Sequence, residues 1–152
     1  MSMRYRRYRE NPKKVWVGPS KIHCQGLFAV ENYSQGDIVI EYVGEVIGNE
    51  EADKREKYYE KSGMSDCYLF RLDKTRIIDA SYKGNVARFL NHSCDANCNA
   101  KAESICGEKH ILIFANRNIN KGEELTYFYN FAVESDKIEC LCGAPNCLRR
   151  LN

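Results

Sequence analysis

Apolar residues recur in short stretches along this chain, and glycines or polar residues separate one stretch from the next. Alternation of apolar and polar positions between such turn residues predicts β-strands of a few residues each. The predicted strands are residues 15–17, 26–30, 37–43, 67–72, 76–79, 110–115 and 125–131. Segment 37–43 is apolar almost throughout, which predicts a largely buried strand, and the pair 67–72 and 76–79 predicts a hairpin. Gly36 and Gly122 are expected to form the turns before two of these strands.

One segment predicts an α-helix, Asn49–Lys61, because its charges suit the two ends of a helix. Asn49 is a typical capping residue, and its side chain is expected to bind free backbone N–H groups of the first turn. The acidic residues expected in the positive first turn are Glu50, Glu51 and Asp53, and the basic residues nearer the end are Lys57 and Lys61. Many short strands, few helices and no regular alternation of strand and helix predict a β-rich α+β domain.

The bulk composition is that of one compact globular domain. The 152 residues include 43% hydrophobic and 29% charged side chains, with neither internal repeats nor a low-complexity tract. No apolar run is long enough to span a membrane, and the first residues do not resemble a secretory signal. A soluble, intracellular protein is therefore expected.

The net charge of +2 conceals an uneven distribution. Residues 1–14 carry six basic side chains and one acidic side chain, so this segment has a charge of +5 and the remainder −3. Tyr5 and Tyr8 lie among the basic residues, and this mixture suits contact with nucleic acid. A solvated arm, or a flank packed on the domain, is the expectation we favour. The mildly acidic remainder suits a basic peptide better than a phosphate backbone, so direct DNA binding is not expected.

Eight cysteines are many for a chain of this length. In an intracellular protein, metal binding and free thiols are more common than disulfides. Cys140, Cys142 and Cys147 form a C-x-C-x4-C array, and Gly143 and Pro145 allow the intervening loop to turn tightly. Structural zinc takes four tetrahedral ligands at about 2.3 Å from each thiolate sulfur. The array is one ligand short, so a residue elsewhere in the chain must supply the fourth.

The other cysteines divide into candidates for that fourth position and residues expected in the core. Spacing alone leaves both Cys94 and Cys98 open as the fourth ligand. Cys24, Cys67 and Cys106 are expected to be buried, because a free cysteine behaves as a small apolar residue.

Several motifs occur along the chain in a distinctive order. RFLNHSC at 88–94, ELTYFYNF at 124–131 and CLCGAPNC at 140–147 follow SKIHCQGLF at 20–28 and EYVGE at 41–45. Together they resemble the SET-domain protein lysine methyltransferases that carry a post-SET zinc tail, and the resemblance covers the chain from about Ser20 to Asn152. DKREKYY at 53–59, CYLFR at 67–71, MRYR at 3–6 and the final LN are most similar to the Set1 and trithorax branch, which methylates lysine 4 of histone H3.

The resemblance implies a β-rich α+β SET fold, with small curved sheets and a pseudoknot, followed by a zinc-bound post-SET tail. It divides the chain into a basic N-terminal flank at 1–19, a SET domain at 20–132 and a post-SET zinc motif at 133–152. It implies a nuclear, chromatin-modifying histone-lysine N-methyltransferase that transfers a methyl group from S-adenosylmethionine to the histone H3 tail. Set1-type domains depend on partner subunits for activity, so activating subunits are also expected.

The resemblance further assigns roles to individual residues. The residues expected to contact S-adenosylmethionine are His23, Gln25, Gly26, Tyr68, Asn91, His92 and Leu141. The expected catalytic residues are Tyr68, Tyr127 and Tyr129. The expected ligands of one structural zinc ion are Cys94, Cys140, Cys142 and Cys147. Tyr129 matches the family's catalytic tyrosine, Tyr127 matches the position that limits how many methyl groups fit, and Phe131 is expected only to be buried on the same strand face.

Methyl transfer from a sulfonium to an amine requires alignment and a neutral nucleophile. A free lysine has a pKa of about 10.4 and is protonated at neutral pH, but an apolar channel and a neighbouring sulfonium both disfavour the ammonium form. The proton can then leave through water, and the sequence offers neither an obvious catalytic histidine pair nor a carboxylate dyad. Positioning and desolvation are therefore expected to carry the rate.

Two residues depart from the family pattern. Cys24 stands where the family usually has the first glycine of its donor-binding loop, so its β-carbon is expected to crowd the donor or to require a different backbone angle. Phe128 stands where the family usually has aspartate between the two tyrosines. Its side chain is expected to face away from them and to affect packing or a partner surface.

Two alternative functions stay open at this point. The branch that methylates lysine 36 of histone H3 has similar motifs, although its members usually show a GWG-type loop where this chain has CQG, and they lack the KREKYYE helix. The other alternative is a catalytically weak SET module that binds histone tails or scaffolds a complex. A zinc-finger nucleic-acid binder leaves RFLNHSC and ELTYFYNF unexplained.

Overall fold

The computed structural model describes residues 2–63, 68–129 and 139–151. Two α-helices, α1 (Met3–Glu10) and α2 (Asn49–Lys61), and a short 3-10 helix (Val86–Phe89) accompany ten strands in this part of the chain. The strands are β1 (Val15–Pro19), β2 (Gln25–Ala29), β3 (Ile38–Tyr42), β4 (Gly44–Gly48), β5 (Leu69–Arg71), β6 (Arg76–Gly84), β7 (Asn91–His92), β8 (Cys98–Ile105), β9 (Glu108–Ala115) and β10 (Glu124–Tyr127). The predicted β-rich α+β class is confirmed. None of the described helices has the length and apolar character needed to cross a membrane.

The strands form two sheets. In the larger sheet the order is β1-β2-β10-β8-β9-β3, with β7 beside β10, and in the smaller sheet it is β4-β6-β5. β10 runs parallel to both β7 and β8. The parallel pairing sets Thr126 opposite Asn91 and Tyr127 opposite His92. Two motifs that are distant in sequence therefore lie side by side.

β3 and β9 form the centre of the core. All five residues of β3 and the last five of β9 are buried. Leu27 of β2 and Leu125 of β10 extend this core, since both are 0% exposed and lie opposite each other in the sheet. Each such aliphatic side chain stabilises the fold by about 1.5–3 kcal/mol relative to an exposed one. Strand β10, which carries Tyr127, is therefore packed directly against the core.

Most of the predicted strands are confirmed. β1, β2, β3 and β9 overlap the predictions at 15–17, 26–30, 37–43 and 110–115, and β5 with β6 forms the predicted hairpin. Gly36 and Gly122 have φ values of 88° and 93°, a backbone that glycine adopts without steric cost, and so form the predicted turns. β10 ends at Tyr127. Phe131 and Cys67 lie outside the described residues.

Strand β8 does not follow from the sequence pattern, because it is rich in polar residues and alternates only in part. It forms because it pairs with β9 over eight consecutive positions. Cys106 and Gly107 connect the two strands with φ values of 52° and 84°. Two positive φ values in succession are what a tight two-residue hairpin turn requires.

Helix α2 has the predicted bounds, but the prediction that Asn49 caps it is wrong. The residue before Asn49 occupies the capping position, and no side chain bonds there. The Asn49 amide instead donates to Lys74 O at 3.0 Å and accepts from Arg71 at 2.9 Å. Asn49 therefore ties α2 to the β5–β6 hairpin. Of the three predicted acidic residues, the first turn holds Glu50 and Glu51.

The basic N-terminal segment forms helix α1, which packs on the domain. Ser2 caps this helix, because its hydroxyl accepts a hydrogen bond from Tyr5 N–H at 3.1 Å. Tyr5 is 5% exposed, and its hydroxyl donates to Glu41 at 3.3 Å. The Glu41 N–H donates to the Tyr8 hydroxyl at 3.1 Å. The two tyrosines therefore attach α1 to β3, a more specific arrangement than a solvated arm.

Two cysteines that were expected in the core are exposed, so that prediction is wrong for Cys24 and Cys106. Both have positive φ, at 35° and 52°, and both lie in turns. Turn geometry therefore decides the exposure of these thiols, and the apolar character of cysteine does not. Cys98, by contrast, is 1% exposed.

Candidate active site

A cavity of about 520 Å³ opens where loop 20–25, strands β7 and β10 and the C-terminal segment meet. This volume is typical of sites for small ligands. The residues with predicted roles that line it are His23, Gln25, Tyr68, Asn91, His92, Leu141, Tyr127 and Tyr129. Gly26 is buried at the start of β2 and does not line the cavity. The fold thus brings together residues from five separate parts of the sequence.

Loop 20–25 contains Cys24, the departure from the family pattern. The N–H of Ser20 donates to Cys24 O at 3.0 Å and closes the loop into a tight turn. Cys24 has a φ of 35°, in the left-handed region that costs other residues about 1–2 kcal/mol and glycine little. The chain therefore keeps a backbone angle that suits glycine, and it places the Cys24 side chain at the cavity.

Asn91 holds this loop from the side of β7. Asn91 is 7% exposed, and its Nδ2 lies 3.1 Å from His23 O and 3.0 Å from Gln25 O. An amide nitrogen can donate two hydrogen bonds, so one side chain fixes two carbonyls of the loop. Asn91 thereby sets the position of backbone atoms that line the cavity.

His92 connects the cavity to the cysteine-rich tail. Its Nδ1 accepts a hydrogen bond from Tyr129 N–H at 3.0 Å, and its Nε2 lies 3.3 Å from Cys94 Sγ. Because Nδ1 accepts, the proton of a neutral imidazole is on Nε2, which donates to the sulfur. Burial lowers the pKa of His92 and so favours this neutral form.

Phe128 does not line the cavity, but it packs against a residue that does. Its side chain is 43% exposed, and its ring centroid lies 4.8 Å from that of His92. The ring of Tyr129 contacts the same imidazole at 5.3 Å. Where the family usually has an aspartate, this chain therefore has an apolar ring that helps to fix His92.

Tyr127 and Tyr129 form an aromatic wall of the cavity. Their ring centroids lie 4.9 Å apart, and the ring of Phe70, which does not line the cavity, packs against Tyr127 at 5.8 Å. The Tyr129 hydroxyl donates to Leu90 O at 2.6 Å. Burial is the main cause that raises the pKa of Tyr127 well above its ordinary value. Tyr127 is therefore a neutral phenol at physiological pH and cannot serve as an anionic base there.

Tyr68 is held at the cavity through its backbone. Its carbonyl accepts hydrogen bonds from the Tyr42 hydroxyl at 3.2 Å and from Ala80 N–H at 2.9 Å. The Arg88 guanidinium lies 5.8 Å from the Tyr68 ring. Tyr42 and Arg88 also line the cavity, and the sequence did not identify them as site residues. Both lie within quoted motifs, so the motifs themselves were the signal that pointed to them.

Four thiols converge beside the cavity, and their sulfurs all lie within 4.8 Å of one another: Cys94, Cys140, Cys142 and Cys147. Cys94 Sγ is 3.9 Å from Cys140 Sγ and 3.9 Å from Cys147 Sγ. Tetrahedral zinc with bonds of about 2.3 Å requires sulfurs about 3.8 Å apart, so the donor set fits such an ion. The N–H of Leu148 lies 3.3 Å from Cys94 Sγ and adds a hydrogen bond that favours a thiolate.

The thiols of the cluster differ in acidity: burial alone would raise the pKa of Cys142, but hydrogen bonds from the backbone and from neighbouring thiols lower it to about 6. Burial is the main cause that raises the pKa of the Cys140 thiol to about 12, whereas metal binding requires the thiolate. Cys98, the rival fourth ligand, is not part of the cluster, and its thiol donates to Asn97 Oδ1 at 3.4 Å. Cys140 and Leu141 also line the cavity, so a metal held by the cluster would fix one wall of the cavity.

Comparison with known proteins identifies the family. The SET-domain family model matches residues 25–130. The chain is 51% identical to the H3 lysine-4 specific histone-lysine N-methyltransferase of Schizosaccharomyces pombe, over 99% of this chain and 16% of that protein. It is 54% identical to histone-lysine N-methyltransferase set1 of Dictyostelium discoideum, over 92% of this chain and 9% of that protein. It is 48% identical to human histone-lysine N-methyltransferase 2B, over 100% of this chain and 6% of that protein. The chain thus spans a small part of these relatives.

Proposed function

We propose that this chain, which belongs to the SET-domain family, is the catalytic part of a histone-lysine N-methyltransferase that modifies lysine 4 of histone H3. The observation that carries the proposal is the convergence of Asn91, His92, Tyr127 and Tyr129 on one cavity. The name of the Schizosaccharomyces pombe relative supports lysine 4, because that protein is described as specific for this residue.

The methyl donor in this proposal is S-adenosylmethionine, which supplies an electrophilic methyl group on its sulfonium. The backbone of loop 20–25, with Asn91, binds the amino acid portion of the donor. His92 and Tyr68 contribute neighbouring surface. Leu141 is 55% exposed although it lines the cavity, and an exposed apolar side chain at this place suits the cover of a planar adenine.

The substrate amine must approach as a neutral nucleophile. The aromatic wall of Tyr127 and Tyr129, with Phe70 packed against Tyr127, provides an apolar environment that disfavours an ammonium group. The hydrogen bond from Tyr129 to Leu90 O fixes the ring at 2.6 Å and so holds the wall in place for alignment. Since Tyr127 stays neutral, the proton leaves through water, and the tyrosines contribute position and polarity.

The metal in this proposal is a single structural zinc ion. Cys94 lies in the same short segment as Asn91 and His92, whereas the other three thiols belong to the tail. An ion held by all four cysteines fastens the tail against this segment, and the contact from His92 Nε2 to Cys94 Sγ extends the constraint to the cavity. Four sulfurs at a spacing suited to zinc support this assignment.

The substrate, the partners and the division of the chain belong to the same proposal. A basic histone tail suits the mildly acidic remainder of the chain, and activating subunits suit the exposed apolar surface near α2. The side chains of that surface are Val46, Tyr58 and Tyr82, each more than half exposed. The flank at 1–19, the SET domain at 20–132 and the post-SET motif at 133–152 then act together on chromatin in the nucleus.

The direct test is mass spectrometry of histone H3 peptides incubated with the protein and S-adenosylmethionine. A peptide that includes lysine 4 should gain methyl groups, and the same peptide with arginine at that position should not. Activity should be weak for the chain alone and should rise with partner subunits. Methylation of a peptide that includes lysine 36, with none at lysine 4, would overturn the substrate assignment.

One observation favours a second candidate function, a catalytically weak SET module that binds histone tails or scaffolds a complex. Cys24 carries a side chain at the cavity and has a φ of 35°, so this loop is under strain where the donor is expected. Calorimetric titration with S-adenosylmethionine separates the two functions. The enzyme binds the donor, and a silent module does not.

A further inference from the structure

A polar network beneath loop 20–25 contains Glu124, to which no role has been assigned so far. Glu124 is the first residue of β10 and pairs with Phe28 of β2. Its two carboxylate oxygens accept from the Ser20 hydroxyl at 2.8 and 2.9 Å, and Oε2 accepts from Asn91 Nδ2 at 3.0 Å. Glu124 therefore contacts both the loop and the side chain that holds the loop.

Ser20 passes this constraint to the backbone of the loop. A hydroxyl has one hydrogen and two lone pairs. Because the Ser20 hydrogen goes to Glu124, the oxygen is left to accept from Ile22 N–H at 2.9 Å and from His23 N–H at 3.3 Å. A carboxylate at position 124 thus fixes the direction of every hydrogen bond around Ser20.

Asn91 is oriented by the same carboxylate. Its Nδ2 lies within 3.1 Å of four acceptors, namely Ser20 Oγ, His23 O, Gln25 O and Glu124 Oε2. Surroundings made only of acceptors decide which end of an amide faces them. The nitrogen must therefore face the loop, and Oδ1 is the end left for a ligand. The nitrogen has two hydrogens, so the four acceptors share them, and the charged carboxylate is the strongest acceptor of the set.

Gly26 makes room for the Glu124 carboxylate. A β-carbon placed on Gly26 would lie 2.7 Å from Glu124 Oε2 and 2.9 Å from its carboxyl carbon. These distances are too short for non-bonded atoms, so a side chain at position 26 and the carboxylate compete for one space. Gly26, which is expected to contact the donor, therefore also leaves space for this carboxylate.

We infer that Glu124 is a positioning residue for the methyl donor. It holds Ser20 and Asn91 so that the backbone of loop 20–25 and the Asn91 Oδ1 are set before the donor binds. Glu124 does not line the cavity, so it acts through these neighbours and does not touch the reacting atoms. The inference rests on the proposed function, because it assumes that the ligand of the cavity is S-adenosylmethionine.

The test compares Glu124→Gln with Glu123→Gln. A glutamine at position 124 keeps the size but has only one acceptor oxygen, so its amide nitrogen must face either Ser20 or Asn91. Glu123 is the matched control, because it is adjacent and half-buried. Its carboxylate pairs with Arg117 at a distance of 2.8 Å and makes no contact with loop 20–25. The measured quantity is the Kd for S-adenosylhomocysteine by calorimetry, with circular dichroism to establish that each variant is folded.

Glu124→Gln should raise this Kd by about tenfold, since the hydrogen bonds that it weakens are made to a charged group. Glu123→Gln should change it by less than about twofold, as expected for a substitution away from the site. At saturating donor, the KM for the H3 peptide should be the same in both variants, because Glu124 does not face the amine. A general loss of packing would instead raise both the Kd for S-adenosylhomocysteine and the KM for the H3 peptide.

Ser20→Ala provides a second route if Glu124→Gln does not fold. This half-buried residue loses only a hydroxyl, and its removal should also raise the Kd, by a smaller factor of about threefold. Equal donor affinity in the wild type, Glu124→Gln and Ser20→Ala would overturn the positioning role and leave the proposed function intact. Failure of the wild type to bind the ligand would overturn the proposed function, and this inference with it.

Discussion

Two regions of the molecule are held together in contrasting ways. In the donor region, which comprises loop 20–25, β7 and the cysteine cluster, hydrogen bonds connect parts of the chain that are far apart in sequence. In the α2 region, which comprises α2, β4 and β6, charged side chains connect elements that are close in sequence. The donor region therefore includes the C-terminal segment with its cysteine cluster, whereas the α2 region is built from elements that are neighbours in sequence.

One buried carboxylate organises the α2 region. Asp79 is 2% exposed, and it accepts from the Tyr59 hydroxyl at 2.6 Å and from Arg55 at 3.0 Å. The Arg55 guanidinium also pairs with Glu45 at 2.6 Å and with Glu51 at 2.9 Å. Arg55 of α2 thus joins the helix to both β4 and β6. Damage to the tail should leave this arrangement intact, and damage to Asp79 should leave the cysteine cluster intact.

Replacement of a cluster thiol should have the largest effect and should be confined to the donor region. Cys94→Ser removes the thiol that links His92 to the tail, so the protein should lose its zinc and most of its turnover. Activity should fall by at least about 10–100-fold, the range found when residues around a metal ligand are changed, and donor affinity should fall with it. Elemental analysis and calorimetry measure the two effects.

Cys98→Ala is the control for the metal prediction, because Cys98 is buried outside the cluster and should not alter the zinc content. Elemental analysis of the wild type should give one zinc ion per chain. Full activity in a metal-free preparation would contradict the dependence of the donor region on its tail.

Asp79→Asn should have the next largest effect, and it should be confined to the α2 region. Asp79→Asn removes the charge that accepts from Tyr59 and Arg55, and hydrogen bonds to a charged group contribute about 1.5–3 kcal/mol; Arg55 keeps its pairs with Glu45 and Glu51. The free energy of unfolding, measured in urea, should fall by this order while zinc content stays unchanged. Asp53→Asn is the control, since Asp53 is an exposed residue of the same helix and should have little effect.

The stability of the α2 region should also depend on acid. Burial alone would raise the pKa of Asp79, but hydrogen bonds from Tyr59, Ser81 and Arg55 lower it below its ordinary 3.8. A lowered pKa in the folded state means that this stabilisation is complete above pH 3.8 and is lost as pH falls through the folded value. Urea unfolding at a series of pH values should show a steeper loss below pH 3.8 in the wild type than in Asp79→Asn.

Tyr127 and Tyr129, the two tyrosines of the cavity wall, should respond differently to loss of a hydroxyl. Tyr129→Phe removes the 2.6 Å hydrogen bond to Leu90 O, so alignment is lost and the rate of every methylation step should fall by about tenfold or more. Tyr127→Phe removes only an oxygen from a crowded wall. The wild type should stop mainly at mono- or dimethyl-lysine, and this variant should shift products toward trimethyl-lysine.

The measurement is the distribution of methyl states at matched extents of reaction for the wild type and both variants. Thermal unfolding of each variant provides the control for folding. A fall in total turnover for Tyr127→Phe, with no change in the ratio of methyl states, would show that the roles of the two tyrosines are wrongly assigned.

The sequence predicted the elements whose side chains repeat regularly, and it missed those that depend on a neighbour. β3 and the bounds of α2 follow from local pattern. β8 forms only because β9 pairs with it, and α1 is fixed by the contacts of Tyr5 and Tyr8 with Glu41, which no local pattern contains. For the candidate site, motifs identified most of the residues that line the cavity. The role of Glu124 could not be predicted, because it depends on which atoms of Ser20 and Asn91 face one carboxylate.

The smallest predicted effect concerns Cys24, which tests how much strain the donor region tolerates. Cys24→Gly should stabilise the fold slightly, by about 1 kcal/mol or less, because relief of a left-handed φ is partly offset by the greater freedom of glycine in the unfolded chain. Donor affinity should stay the same or improve, since a β-carbon leaves the cavity. Cys106→Gly is a matched control, because Cys106 is also exposed with a φ of 52° but lies in the β8–β9 turn. Thermal unfolding should show a similar gain for both variants, whereas any gain in donor affinity by calorimetry should be confined to Cys24→Gly. Weaker donor binding by Cys24→Gly would mean that the thiol itself contacts the donor, and that this departure from the family pattern is a feature of the site.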